Sequence, residues 1–150
     1  MTKIPFNRPY VIGTEEAYLK QALEDRHFIA GGKFAKSCEK WLREYSGCHA
    51  FLTTSGTTAL DMAALMLDLK PGDEVILPSY TFSATANAIA LRGATPVFVD
   101  IREDTLNIDE RKIEEAISPK TKALFPIHYA GVAAEMNTIV EIAKRHNLAV

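Results

Sequence analysis

The sequence has too few cysteines and too few long apolar runs for several classes of protein. Cys38 and Cys48 are the two cysteines among 150 residues, too few for a disulfide framework, and no CxxC or histidine pairing has metal-ligand spacing. No stretch approaches the roughly 20 apolar residues of a membrane helix, and the first ten residues have no apolar run typical of a secretory signal. We therefore expect a reduced, cytoplasmic protein with no metal site and no membrane insertion.

The sequence also lacks an excess of charge of one sign. The formal net charge is −2, with acidic and basic residues mixed along the chain. Nucleic-acid binding and attachment to an anionic membrane surface both require a basic stretch, so neither is expected. Hydrophobic residues make up 47% of the chain, which is enough for a compact domain with its own core.

Short apolar runs recur from residue 49 onward and predict a sheet of parallel strands. They lie at residues 51–52, 75–77, 97–99, 123–125 and 148–150. Segments of helical character separate them, as in successive βαβ units. The runs are apolar throughout, as expected for strands covered on both faces. We predict an α/β fold with a three-layer, mostly parallel sheet over residues 49–150, preceded by a helical segment over residues 1–48.

The predicted helices have identifiable ends and faces. Thr14 is placed to cap the first helix, and an apolar face on the second is interpreted as core; its members are Phe34, Cys38, Trp41, Leu42 and Tyr45. A helix over residues 57–69 is apolar nearly all round, which predicts burial within a larger body. Later helices are expected to end before Gly93, to begin at Asp109 with Ile108 and Ile113 as a hydrophobic staple, and to end at Asn147.

The last apolar run predicts that the chain is truncated. Val150 lies in a run that follows a complete helix, and proteins seldom end within a central parallel strand. The alternative is a short terminal strand that ends the domain.

A small-residue loop at residues 53–58 has two interpretations, a phosphate site and an ordinary helix cap, and the loop taken alone favours the cap. Ligands of parallel sheets bind beyond the carboxyl ends of the strands, where this loop would lie. Gly56 permits close approach, Ser55 and Thr57 add hydroxyl groups, and the following helix offers free amides at its positive end. The alternative is an ordinary helix cap with no ligand.

Two further loops carry aromatic and polar side chains. Tyr80 and Phe82 follow the second apolar run, where either ring could face a planar cofactor or simply pack. His128 and Tyr129 follow the fourth run, and there the sequence leaves open whether the histidine belongs to the active site or is structural.

Taken together, these segments resemble the DegT/DnrJ/EryC1/StrS sugar aminotransferases over essentially the whole chain. The resemblance rests on ordered blocks: Thr54-Ser55-Gly56-Thr57, Pro71-Gly72-Asp73-Glu74-Val75-Ile76, Pro78-Ser79-Tyr80-Thr81-Phe82, Phe98-Val99-Asp100 and Pro126-Ile127-His128-Tyr129-Ala130-Gly131. It implies the large domain of PLP-dependent transferase fold type I, truncated here, in a homodimer with pyridoxal 5'-phosphate (PLP) as cofactor.

The resemblance also implies roles for individual residues. The Gly56 and Thr57 amides and the Thr57 hydroxyl would bind the cofactor phosphate, with Ser55 supporting the loop and Phe82 stacking on the pyridine ring. His128 and Tyr129 are placed on the substrate side. The Schiff-base lysine is expected beyond Val150, so the catalytic residue is unknown from this chain.

The residues at 80–87 and 105–110 favour a subgroup that serves enterobacterial common antigen and lipopolysaccharide sugars. The implied reaction transfers an amino group from glutamate to a dTDP-4-keto-6-deoxyhexose and gives a dTDP-4-amino-4,6-dideoxysugar. Two alternatives stay open from the sequence. One is a family member that uses PLP for sugar dehydration, and the other is a fragment that is non-catalytic by itself.

Overall fold

The computed structural model describes residues 3, 5 and 7–150. The chain divides into two compact units, residues 1–52 and residues 53–150. The first unit carries helices α1 (Glu15–Asp25) and α2 (Lys33–Ser46). The second carries α3 (Gly56–Met66), β1 (Glu74–Pro78), α4 (Ser83–Ala90), β2 (Thr95–Val99), β3 (Thr121–Leu124) and α5 (Met136–His146).

Helix α1 begins with an arrangement that differs from the predicted threonine cap. Thr14 lies at the N-cap position, but its side chain makes no capping hydrogen bond. The Glu15 carboxylate instead accepts hydrogen bonds from the N–H groups of Ile12 and Gly13, each at 2.8 Å. These bonds, with that from Ile12 the largest influence, lower the pKa of Glu15. The acidic residue of the first turn thus fixes the segment that enters the helix, and the predicted Thr14 cap bond is not formed.

The apolar face of α2 is not core within the described part of the chain, so that prediction is wrong. No residue of α2 is buried, and Trp41 and Tyr45 are 61% and 80% exposed. Their rings stack on each other with centroids 5.3 Å apart. Helical periodicity indicates which side chains share a face, but it does not say what covers that face.

The second unit is built on a parallel sheet in the order β2-β1-β3. Alternate residues of β1 point to opposite faces. Ile76 packs in a cluster with Val99, Leu124 and α5, whereas Val75 and Leu77 pack in a second cluster with residues of α3 and α4. Helices therefore lie on both faces, and the predicted α/β fold with a parallel sheet is confirmed.

Two predicted strands and one predicted helix differ in the structure. Residues 51–52 form no strand, and the run at 148–150 contributes only an isolated parallel bridge between Ala149 and Ala123. The predicted helix at Asp109 is two short 3₁₀ turns, Glu110–Lys112 and Glu114–Ala116. Pro119 follows closely, and the residue before a proline is disfavoured in helical conformation, which limits this segment to short turns.

The predicted helix ends are confirmed at two positions. Gly93 follows α4 with a φ of +76°, and Asn147 ends α5 in the left-handed conformation with a φ of 54°. Helix α3 was predicted to be buried within a larger body than this chain provides, and that stays a prediction. Ala64 is its one buried residue among the described residues, while Leu65 and Met66 are 57% and 82% exposed. The apolar surface predicted for this helix is present, but the described residues leave much of it uncovered.

Candidate functional site

The loop at residues 53–58 forms the N-terminus of α3 and is ordered by its own hydroxyl groups. Ser55 is the N-cap in extended conformation, and its Oγ accepts a hydrogen bond from the Thr58 N–H at 3.1 Å. The Thr58 hydroxyl lies 3.1 Å from both Thr54 Oγ1 and Ser55 Oγ. Thr53 Oγ1 donates to the Ser55 carbonyl at 2.8 Å. Ser55 therefore supports the loop and is already engaged in doing so.

The next two amides are the open donors of this helix end. Among residues 7–150, no acceptor is bonded to the N–H of Gly56 or Thr57, and both residues are exposed. A Cβ added to Gly56 would meet no atom within 4 Å. Two free amides at the positive end of a helix dipole, with open space beside them, suit a phosphate group.

The loop after β1 presents an exposed aromatic ring. Phe82 is the N-cap residue of α4 and is 76% exposed. Its backbone is fixed because its carbonyl accepts from the Thr85 N–H at 3.0 Å, and the Thr81 and Thr85 hydroxyls lie 2.9 Å apart. The ring joins none of the aromatic pairs found in the described residues. It is available to cover a planar ligand.

Tyr80 and Tyr129 form a pair that joins the loops after β1 and β3. Tyr129 Oη donates to Tyr80 Oη at 3.0 Å, and the ring centroids are 4.8 Å apart with an interplanar angle of 38°. The hydrogen bond to Tyr80 raises the pKa of Tyr129. The raised pKa keeps the Tyr129 phenol neutral at physiological pH, and the two hydroxyl groups can bond a polar ligand.

His128 closes its own loop. Its Nδ1 accepts a hydrogen bond from the Ala134 N–H at 3.1 Å. An accepting Nδ1 places the proton of a neutral imidazole on Nε2, so only Nε2 is left to contact another group. The structure thus shows a loop-stabilising contact of this histidine, and its predicted place on the substrate side stays a prediction.

Asn107 is the residue that sequence reasoning missed. It follows β2, is 1% exposed, and bonds to two residues of the loop after β3. Its Oδ1 accepts from the Tyr129 N–H at 2.8 Å, and its Nδ2 donates to the Val132 carbonyl at 3.0 Å. In the sequence it stood only within the block at 105–110 that carried a resemblance. An amide side chain between Leu106 and Ile108 was the available signal of a buried polar group.

Charged residues on the far side of this loop neutralise one another. Arg102 bridges Asp104 at 2.7 Å and Glu110 at 3.0 Å. The hydrogen bond from Arg102 lowers the pKa of Asp104 to about 2. Asp109, which is 3% exposed, is paired with Arg111 at 2.8 Å. These side chains are occupied with each other, and we assign them no ligand.

An apolar groove of about 450 Å³ lies between α3 and the end of β3. Its lining includes Leu60, Met66, Phe125, Ile127 and Val150. It contains neither the open amides of α3 nor the Phe82 ring, so it is distinct from the candidate cofactor site.

Residues 3, 5 and 7–150 contain no group of three or more His, Cys, Asp or Glu side chains placed to hold a metal ion. The helices among these residues are all too short or too polar to cross a membrane.

Comparison with known proteins decides the family. The model of the DegT/DnrJ/EryC1/StrS aminotransferase family matches residues 9–150. The chain belongs to this family. The predicted resemblance is thereby confirmed.

The chain is similar in sequence to one curated relative, and in sequence and structure to two solved structures described here. The chain is 40% identical over 151 aligned residues to GDP-perosamine synthase of Caulobacter vibrioides, and it spans 41% of that protein's length. It is 38% identical to NtdA from Bacillus subtilis with bound pyridoxamine phosphate (PMP), with a TM-score of 0.87 over 99% of this chain and 35% of that one.

A PLP-bound form of the sugar aminotransferase Spr1654 from Streptococcus pneumoniae is 32% identical, with a TM-score of 0.80 over 99% of this chain and 38% of that one. These likenesses confirm the predicted aminotransferase fold. The predicted cofactor is the one bound in these neighbours, either as PLP or as its amino form.

Proposed function

We propose that this chain supplies the phosphate-binding and ring-facing part of a PLP site in a sugar-nucleotide aminotransferase. The single observation that carries the proposal is the pair of open amides, Gly56 and Thr57, at the N-terminus of α3. Bound PLP supplies the electron sink that transamination requires. In this arrangement Ser55 holds the loop, the Thr57 hydroxyl adds a third donor, and Phe82 covers the ring.

The substrate side of the proposed site is the tyrosine pair. Tyr129 and Tyr80 present hydroxyl groups at the carboxyl edge of the sheet, where hydroxyl-rich sugars can exchange hydrogen bonds with them. His128 orders the loop that carries Tyr129 and contributes at most its Nε2. We assign no lysine of this chain to the Schiff base.

The proposed reaction moves an amino group from glutamate to the 4-keto carbon of a dTDP-4-keto-6-deoxyhexose. The residues at 80–87 and 105–110 support the dTDP-linked substrate. A second candidate is a GDP-linked 4-keto-6-deoxyhexose, and it is favoured by the 40% identity to a GDP-perosamine synthase. The chain spans under half of that relative, so both substrates are proposals for the full-length protein.

The test compares the two sugar nucleotides directly. Full-length protein, PLP and glutamate are mixed with either the dTDP-linked or the GDP-linked keto sugar, and 2-oxoglutarate and amino sugar are quantified. Turnover of the dTDP sugar alone supports the proposal, and turnover of the GDP sugar alone supports the second candidate. If neither sugar yields 2-oxoglutarate, both substrate proposals are wrong.

We also propose that the full-length protein is a homodimer. The family resemblance supports this state, and the exposed Trp41 and Tyr45 of α2 show that this chain has aromatic surface to bury. Sedimentation equilibrium should give twice the subunit mass at micromolar concentration. A monomeric mass that persists over that concentration range would contradict the proposal.

A further inference from the structure

Asn107 joins two loops of the site through one buried side chain. We propose that Asn107 is a positioning residue, which fixes the backbone of Tyr129 so that the Tyr129 hydroxyl meets Tyr80 at the carboxyl edge of the sheet. The consequence for catalysis rests on the proposed function, whereas the positioning itself rests on hydrogen bonds within this chain.

Both ends of the Asn107 amide are used by the same short loop. Oδ1 accepts from the Tyr129 N–H at 2.8 Å, and Nδ2 donates to the Val132 carbonyl at 3.0 Å. Between these contacts the loop passes through Ala130 and Gly131, whose φ angles are +51° and +83°. A non-glycine residue is less favourable in the left-handed region than in the right-handed one, because its Cβ approaches the following carbonyl oxygen. The loop therefore needs external contacts to hold this shape, and Asn107 provides two.

Asn107 is itself rigidly held. Its carbonyl accepts from the Arg102 N–H at 2.9 Å, and its own N–H donates to Thr105 Oγ1 at 3.4 Å. The side chain is 1% exposed and is followed by Ile108, a buried member of the core. A side chain fixed in this way can transmit its position to the loop that it bonds, because it has no freedom to follow the loop elsewhere.

The tyrosine pair is the site feature that this amide places. With the Tyr129 N–H bonded to Asn107, the Tyr129 and Tyr80 ring centroids lie 4.8 Å apart and the two hydroxyl oxygens lie 3.0 Å apart. Tyr80 follows directly from the end of β1 at Pro78, which is anchored in the sheet. One partner of the pair is thus held by the sheet, and the other is held by Asn107.

The test measures the ionisation of Tyr129 in the full-length protein. Tyrosinate absorbance is titrated for each protein and for its Tyr129→Phe derivative, and the difference isolates Tyr129. In the unsubstituted protein its pKa should lie above the usual value of about 10. Asn107→Leu should lower it toward that value, as should Tyr80→Phe. Asn87→Leu, on an exposed position of α4, is the matched control and should leave it unchanged.

Two results would overturn the inference. The first is an Asn107→Leu protein with native circular dichroism in which Tyr129 ionises as before, because Asn107 would then be structural only. The second needs no variant, which keeps the inference testable if Asn107→Leu does not fold. The Tyr129 amide of the unsubstituted protein should exchange its hydrogen slowly, and exchange at the rate of an unprotected amide contradicts the bond to Asn107.

The proposed function is measured separately in the same proteins by binding of PMP. If PMP does not bind but Asn107→Leu still lowers the pKa of Tyr129, the cofactor site is refuted and the positioning role stands. If PMP binds but Asn107→Leu leaves the pKa of Tyr129 unchanged, only the positioning role is refuted.

Discussion

Substitution of Gly56 should weaken binding of the cofactor phosphate without destabilising the fold. Gly56 is the first residue of α3, it is not among the residues with positive φ, and an added Cβ would meet no atom within 4 Å. Gly56→Ala should therefore fold normally. A glycine replaced by alanine at a compatible position gains about 0.4–1 kcal/mol, because the unfolded chain loses freedom.

The same substitution should weaken cofactor binding. The new side chain would occupy space beside the amides of Gly56 and Thr57, which are the open donors at this helix end. A hydrogen bond to a charged group contributes about 1.5–3 kcal/mol. Loss of one such bond should weaken cofactor binding by about 10- to 100-fold, since each 1.4 kcal/mol is tenfold. Gly56→Val should weaken it further.

The assay pairs urea unfolding with equilibrium binding of PMP, which forms no covalent bond to a lysine. Ala59→Val is the matched control, since Ala59 is an exposed residue of the same helix whose N–H is already bonded to the Ser55 carbonyl at 3.1 Å. The control should bind PMP normally. A folded Gly56→Val protein that binds PMP as tightly as the unsubstituted protein would refute the assignment of these amides to the phosphate.

Two further substitutions test the fold that supports the site. Gly93→Ala should cost about 1–2 kcal/mol for its left-handed φ and about 1–3 kcal/mol more for overpacking, because its Cβ would lie 2.8 Å from Pro71 Cγ. Gly72→Ala, with φ +96° and open space, should show only the cost of the left-handed φ. Equal losses of unfolding free energy in the Gly93 and Gly72 variants, measured in urea, would contradict the clash with Pro71. Asp109→Ala removes a cap bonded to the Arg111 N–H, which should cost about 0.5–2 kcal/mol at neutral pH. The hydrogen bond from Arg111 lowers the pKa of Asp109, so its contribution is present above about pH 4 and is lost as pH falls further. Urea unfolding should therefore show a shallower acid decline in the variant, and an unchanged pH profile would contradict this ion pair.

The sequence predicted most reliably those features that depend on neighbouring residues. The strands at 75–77 and 97–99 and the helix ends at Gly93 and Asn147 were found because apolar runs and left-handed caps are local signals. The predicted Thr14 cap of α1 was wrong because Thr14 has αR backbone angles, whereas a capping residue is typically extended. The residue type indicates a cap, but the backbone angles that a cap requires are not readable from the residue type alone.

The site shows a different limit. The small-residue loop was assigned to a phosphate only when the family resemblance was added, although its open amides can be located from the helix start alone. Asn107 was missed because its partners lie 22 and 25 residues further along the chain. A buried polar residue is recognised by the groups that satisfy it, and those groups are known only when the strand order is known.

The strand order explains how distant loops become one site. With β1 between β2 and β3 and all three parallel, the loops that follow the three strands leave the sheet at the same edge. Tyr80 after β1 and Tyr129 after β3 are 49 residues apart in sequence, and their hydroxyls are 3.0 Å apart. Asn107 after β2 bonds the same loop across the edge. The substrate-side geometry is therefore a property of the parallel order of the strands, and a substitution that shifted one strand register would disturb all three loops together.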